Sequence, residues 1–132
     1  RDEGTSYHYA PPSRTIAVNT RYLHVFRELL DTLGCPYTVG KVWTTDAFYR
    51  ETRMKVEKRR AEGCVCVDME CASVAAMSEF RGKDVLQFFY AADNLDAERW
   101  DKRSLSNEER LAEKDKIAYL AMEMAARMAA DS

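Results

Sequence analysis

A chain of 132 residues with 20 Lys plus Arg against 22 Asp plus Glu, 46% hydrophobic and 32% charged, has the size and composition of one soluble globular domain. A net charge of -2 gives no large single-sign field, which disfavours nucleic-acid and membrane-surface partners, and no apolar run reaches the length of a bilayer span. These bounds predict a cytoplasmic protein, and the opening on Arg1 rather than methionine suits a portion of a longer product.

In chain order, Thr15 to Val18 is a short β-prone run. After it Leu23, Phe26, Leu30 and Leu33 recur at helical steps, with Asn19 or Thr20 as the cap and Gly34 and Pro36 as the stop. Tyr37 to Trp43 reads as a strand and is followed by the turn Thr44-Thr45-Asp46 and the aromatic pair Phe48-Tyr49. A helix through Met54 and Val56 stops at Gly63; its Arg50 to Arg60 cations, interleaved with Glu51, Glu57 and Glu62, read as a solvated face. Cys64-Val65-Cys66-Val67, wholly apolar, fits a strand buried on both faces of a parallel sheet. Met69 to Arg81, with Ala72, Ala75, Ala76, Met77 and Phe80, predicts a closely packed helix ended by Gly82. Asp84 to Ala92 predicts another buried strand, ending at Asp93. The polar stretch Asn94 to Leu105, with Trp100, is either a lid or a plain connection. A last helix starts with the capping-box pair Ser106 and Glu109 and carries the stripe Leu111, Ile117, Leu120, Met124 and Met128.

Cys35, Cys64, Cys66 and Cys71 read as buried small residues, because their spacing matches neither a disulfide framework nor a zinc set. No metal site is expected. His8 and His24 have no nucleophile partner in the sequence. The alternation of strands and helices predicts one α/β domain over residues 1–132. Ligands of open α/β sheets bind at the carboxyl ends of the strands, which here deliver Phe48, then Asp68-Met69-Glu70, then Asp93. Asp68 can equally serve as a helix cap, whereas Asp93 has no helix directly after it to cap. A carboxyl in a partly desolvated cleft has a raised pKa and can protonate a leaving nitrogen.

These residues carry a resemblance. Phe48-Tyr49 after Thr-Thr-Asp, Val67-Asp68-Met69-Glu70 entering an Ala-rich helix, and a strand ending Ala-Ala-Asp93 resemble the carboxyl-terminal half of the purine and uridine nucleoside phosphorylases. The opening segment from Arg1 to Tyr9 resembles a mid-chain segment of the same enzymes. The resemblance implies a three-layer α/β phosphorylase-type domain with a mainly parallel or mixed central sheet and flanking helices, shortened at its amino terminus. It also implies a pentosyltransferase that cleaves the N-glycosidic bond of a purine or pyrimidine nucleoside. Inorganic phosphate would be the co-substrate, the product a pentose 1-phosphate, and no further cofactor would be needed. By the same resemblance Asp93 is the acid, Glu70 accepts hydrogen bonds from the ribose 2′- and 3′-hydroxyls, Met69 packs against the sugar, and Phe48 stacks on the base. Asp68 stands where the family usually has Glu, and Thr52 and Met54 stand where the uridine branch carries Gln and Arg. The family's glycine-rich phosphate loop is not visible. The competing readings are a nucleoside hydrolase of the same superfamily and a domain that binds nucleoside or self-associates without catalysis. A homo-oligomer is expected, because half of such a fold leaves a sheet edge and an apolar face to cover.

Overall fold

The computed structural model describes residues 1–91 and 111–131, which divide into two compact units, Arg1–Phe88 and Phe89–Ser132. The first unit holds α1 (Leu23–Thr32), β1 (Lys41–Thr44), α2 (Arg53–Ala61), β2 (Cys64–Asp68) and α3 (Cys71–Phe80); the second holds α4 (Leu111–Ala130).

The α/β reading stands. β1 and β2 pair in parallel, and parallel pairing requires a crossover, supplied by α2. The register runs Lys41 to Cys64, Val42 to Cys66, Trp43 to Val67 and Thr44 to Asp68, so Val65 is the extra residue of a bulge. Beyond the end of β1 the ladder is continued by Asp2, which bridges Thr45: Asp2 N–H donates to Thr44 O at 2.8 Å and Asp46 N–H to Asp2 O at 3.2 Å.

The bulge corrects one expectation. β2 is not buried on both faces: Val65 is 55% exposed and the other β2 residues are half-buried. Val65 leans over Gly40, where an added Cβ would stand 2.6 Å from Val65 Cγ1 and 3.2 Å from its Cβ. Gly40→Ala is therefore expected to destabilise the fold by about 1–3 kcal/mol, the cost of overpacking. Urea unfolding checks this, and an unchanged midpoint would contradict it.

Two expected strands, Thr15 to Val18 and Asp84 to Ala92, are not found among the described residues. Thr15 to Val18 and Asp84 to Ala91 join no ladder among the described residues, because an apolar run becomes a strand only where a neighbour completes its backbone hydrogen bonds. The second run is instead tied down by side chains. Asn19 Nδ2 and an Arg21 guanidinium N–H donate to Asp84 at 2.8 and 2.7 Å, Gln87 Nε2 donates to Cys71 O at 3.2 Å, and Phe88 meets Phe26 with centroids 5.0 Å apart.

The helix at α1 forms with a different start. Asn19 and Thr20 do not cap it; Asn19 Oδ1 accepts from Arg21 N–H at 2.9 Å in the turn before, and α1 begins after Tyr22. Phe26, Leu29 and Leu30 are its buried face, while Leu33 is 57% exposed. Gly34, at φ 63°, closes the helix, with Cys35 N–H donating to Leu30 O at 2.9 Å; Gly82 and Lys83 close α3 in the same way.

α3 packs through its small residues, Cys71, Ala72, Ala75, Ala76 and Ser78. Met77 and Phe80, expected on that face, are exposed, since an alanine-lined face lets the helix approach closely and leaves no room there for large side chains. In the second unit Ile117, Leu120, Met124 and Met128 are withdrawn from solvent, as the stripe predicts, and Tyr119 and Met122 are exposed. The Ser106 and Glu109 cap and the Asn94 to Leu105 stretch lie outside the described residues.

The four thiols are free, but they are not uniformly buried: Cys71 is buried, Cys64 and Cys66 are half-buried, and Cys35 is exposed just past α1. Burial pushes the Cys71 thiol up to about 11 and also raises Cys64 and Cys66. A thiol reagent at pH 8 is therefore expected to modify Cys35 quickly and Cys71 only on unfolding, because the thiolate is the nucleophile. Peptide mapping of the labelled chain checks the order.

Candidate functional site

The carboxyl ends of β1 and β2 and the amino end of α3 converge, and the first turn of α3 explains how. A helix begins with amides that have no partner inside it. Asp68, the last residue of β2, accepts from Glu70 N–H at 3.0 Å and Cys71 N–H at 2.6 Å through Oδ2. Thr44, the last residue of β1, accepts from Ala72 N–H at 3.1 Å through Oγ1. Both strand ends thus hold the same helix end, with Thr44 2% exposed and Thr45 1% exposed beneath it.

Asp68 therefore acts as a cap, one of the two roles its position allows. Its other oxygen, Oδ1, is buried and accepts no hydrogen bond among the described residues. Met69 and Glu70 sit directly above, both exposed, and the Glu70 side chain makes no hydrogen bond or ion pair among the described residues. On the β1 side, Phe48 opens a 3-10 turn, Phe48–Arg50, in which its ring meets Tyr49 edge-on, centroids 5.6 Å apart at 77°. Phe48 is 67% exposed. The structure so brings Asp68, Met69 and Glu70 together at one strand end and places Phe48 on the loop after the other. Asp93 lies outside the described residues.

Sequence reasoning missed the amino-terminal segment as part of this region. Glu3, 5% exposed, accepts from Ser6 N–H at 2.9 Å, from the Ser6 hydroxyl, and from Ser73 Oγ of α3 at 2.8 Å. Burial pushes its carboxyl up, but the hydrogen bonds from Ser6 and Ser73 outweigh that and hold it below its ordinary range. Asp2 accepts from Trp43 Nε1 at 3.0 Å and, with both oxygens, from Arg59 at 2.7 Å, with Lys55 Nζ at 3.6 Å. Desolvation raises the Asp2 carboxyl; hydrogen bonding and charge from Arg59, with Trp43 and Lys55, more than offset it and leave it lowered. Arg59 also pairs with Glu62 at 2.7 Å, and its side chain is only 17% exposed. The basic helix α2 is accordingly not a wholly solvated face: Arg59 turns inward to a carboxylate remote in sequence. The one available signal was the opening segment's resemblance, which marked Asp2 and Glu3 without saying what they bind.

Comparison with known families adds the deciding observation: the family described as the Phosphorylase superfamily matches residues 1–131. The chain belongs to the phosphorylase superfamily. In this superfamily member the matched span takes in the amino-terminal segment, both strands, α3 and Asp93, in the order that the resemblance of the sequence implied. The α/β architecture is accordingly that of a phosphorylase-type domain. Among the described residues no three His, Cys, Asp or Glu side chains are grouped to hold a metal, and no helix is long and apolar enough to cross a membrane.

Proposed function

We propose that this phosphorylase-superfamily chain takes part in phosphate-dependent cleavage of a nucleoside, releasing the base and a pentose 1-phosphate. The observation that carries the reading is Glu70. Within a chain of this superfamily, an exposed carboxylate with no hydrogen-bond or ion-pair partner among the described residues stands at a strand end, at the start of a helix whose Cys71 and Ala72 amides are taken by Asp68 and Thr44. A carboxylate not spent on capping is available to accept two hydroxyls of a pentose, and such ionic hydrogen bonds are the strong kind.

In this reading Glu70 clamps the 2′- and 3′-hydroxyls, Met69 lies against the sugar and Phe48 stacks on the base. Asp68 contributes by holding α3. A phosphate oxygen attacks C1′ as the C1′–N bond breaks through an oxocarbenium-like transition state, and Asp93 gives its proton to the departing base nitrogen. The bond electrons leave with the base, whose charge the proton neutralises.

The test is base release from inosine, adenosine, uridine and thymidine, each with and without phosphate. Phosphate-dependent release is the expected result. Release at the same rate without phosphate would replace the reading with hydrolysis, and no release with any of the four would overturn it. On the best purine substrate, Asp93→Asn is expected to lower kcat at least about a hundredfold, the scale of general acid catalysis. An unchanged kcat would remove Asp93 from the role.

A further inference from the structure

Capping and rotation are separate problems for a helix that presents a side chain to a ligand. The amides of the first turn point along the helix axis, so Asp68 and Thr44, which accept from them, fix where α3 begins. They do little to fix its rotation about that axis. Rotation is held by the buried face of Cys71, Ala72, Ala75, Ala76 and Ser78, and within that packing a directional contact made off the axis, through a side chain, refines it.

Ser73 makes that contact. It is the third residue of α3 and lies three residues after Glu70, the N-cap, so less than one helical turn of backbone connects the two. Its hydroxyl donates to Glu3 Oε2 at 2.8 Å. Glu3 is in turn fixed by Ser6, and the segment carrying it is bonded to the end of β1 on either side. Asp2 N–H donates to Thr44 O at 2.8 Å, and Gly4 N–H donates to Asp46 Oδ2 at 3.1 Å. A buried carboxylate is a costly way to fill space, and an apolar side chain would pack there without that cost. What the carboxylate adds is direction: it accepts at fixed angles from Ser6 and Ser73.

We propose that Glu3 is a positioning residue which, through Ser73, refines the rotation of α3 and so where the Glu70 carboxylate stands relative to β1. The inference rests on the reading of Glu70 as the pentose clamp. It predicts that losing the Ser73 hydroxyl harms recognition of the sugar hydroxyls more than it harms the fold.

The test compares the full chain with Ser73→Ala, Ser73→Thr and Glu3→Gln. The first readout is the ratio of affinities for inosine over 2′,3′-dideoxyinosine, repeated with uridine and its dideoxy counterpart. The second is amide hydrogen exchange across Glu70 to Ala76. Ser73→Ala and Glu3→Gln are expected to lower the ratio at least fivefold, while Ser73→Thr, which keeps the hydroxyl, stays within twofold of the parent. A Ser73→Ala ratio within twofold of the parent overturns the proposal, whether or not exchange has quickened. A parent chain that does not distinguish the two nucleosides removes the clamp reading of Glu70 itself. The tether is then judged by exchange alone: a fivefold rise confined to Glu70 to Ala76 in Ser73→Ala supports it, and unchanged exchange overturns it.

Discussion

Glu70→Gln is expected to lower kcat/KM for the preferred ribonucleoside about a hundredfold and to leave the 2′,3′-dideoxy analogue within about twofold. Hydrogen bonds to a charged acceptor contribute about 1.5–3 kcal/mol each, and an amide in the same place keeps one weaker acceptor and turns the other into a donor facing a hydroxyl. A loss of about 2.7 kcal/mol corresponds to that hundredfold. The fold should not register the change, because Glu70 is exposed and its side chain supports no described neighbour. Steady-state kinetics on the paired substrates, beside thermal unfolding of both proteins, provide the check. An equal loss on both substrates would show that Glu70 does not read the pentose hydroxyls.

Asp2→Asn is expected to destabilise the fold markedly. The carboxylate joins α2 to β1, accepting from Arg59 through both oxygens at 2.7 Å and from Trp43 Nε1 at 3.0 Å. The side chains of Asp2 and Arg59 are 21% and 17% exposed, so the pair is largely withdrawn from water. Breaking a fully buried pair costs about 3–5 kcal/mol, and with partial solvation here about 2 kcal/mol is expected. For a domain of this size that lowers Tm by roughly 7 °C.

The same carboxylates give the protein an acid limit. Asp2 and Glu3 both have folded-state values below their ordinary 3.8 and 4.5, so each stabilises the fold above those values, and the contribution is lost as pH falls through the folded values. Tm should hold between pH 5 and 7, a window about one half-unit above the higher ordinary value, and fall below about pH 4.5. In Asp2→Asn the acid decline should be shallower, since one of the carboxylates held below its ordinary value is gone while Glu3 and Glu62 remain. Circular dichroism melts across pH 3 to 7 measure both slopes, and parallel declines would exclude Asp2 from the acid response.

What the sequence by itself determined is local. The apolar steps of α1 and α3, with Gly34, Gly63 and Gly82 as stops, placed α1, α2 and α3 nearly where they stand, because helix periodicity and a left-handed stop act over a few residues. The abrupt return of polarity at Asp68 marked the strand end that carries Met69 and Glu70, and the pairing of β2 with β1 keeps it there. Tertiary structure decided the remainder. Whether an extended run becomes a strand depends on a neighbour, so Asp84 to Ala92 reads like a strand, yet its described part is held by side chains instead. The interior role of Arg59 and the tether from Glu3 to Ser73 join residues 57 and 70 positions apart. Hydrogen-bond partners at such separations leave no periodic trace in the chain, because they are selected by which elements pack together and not by spacing along it.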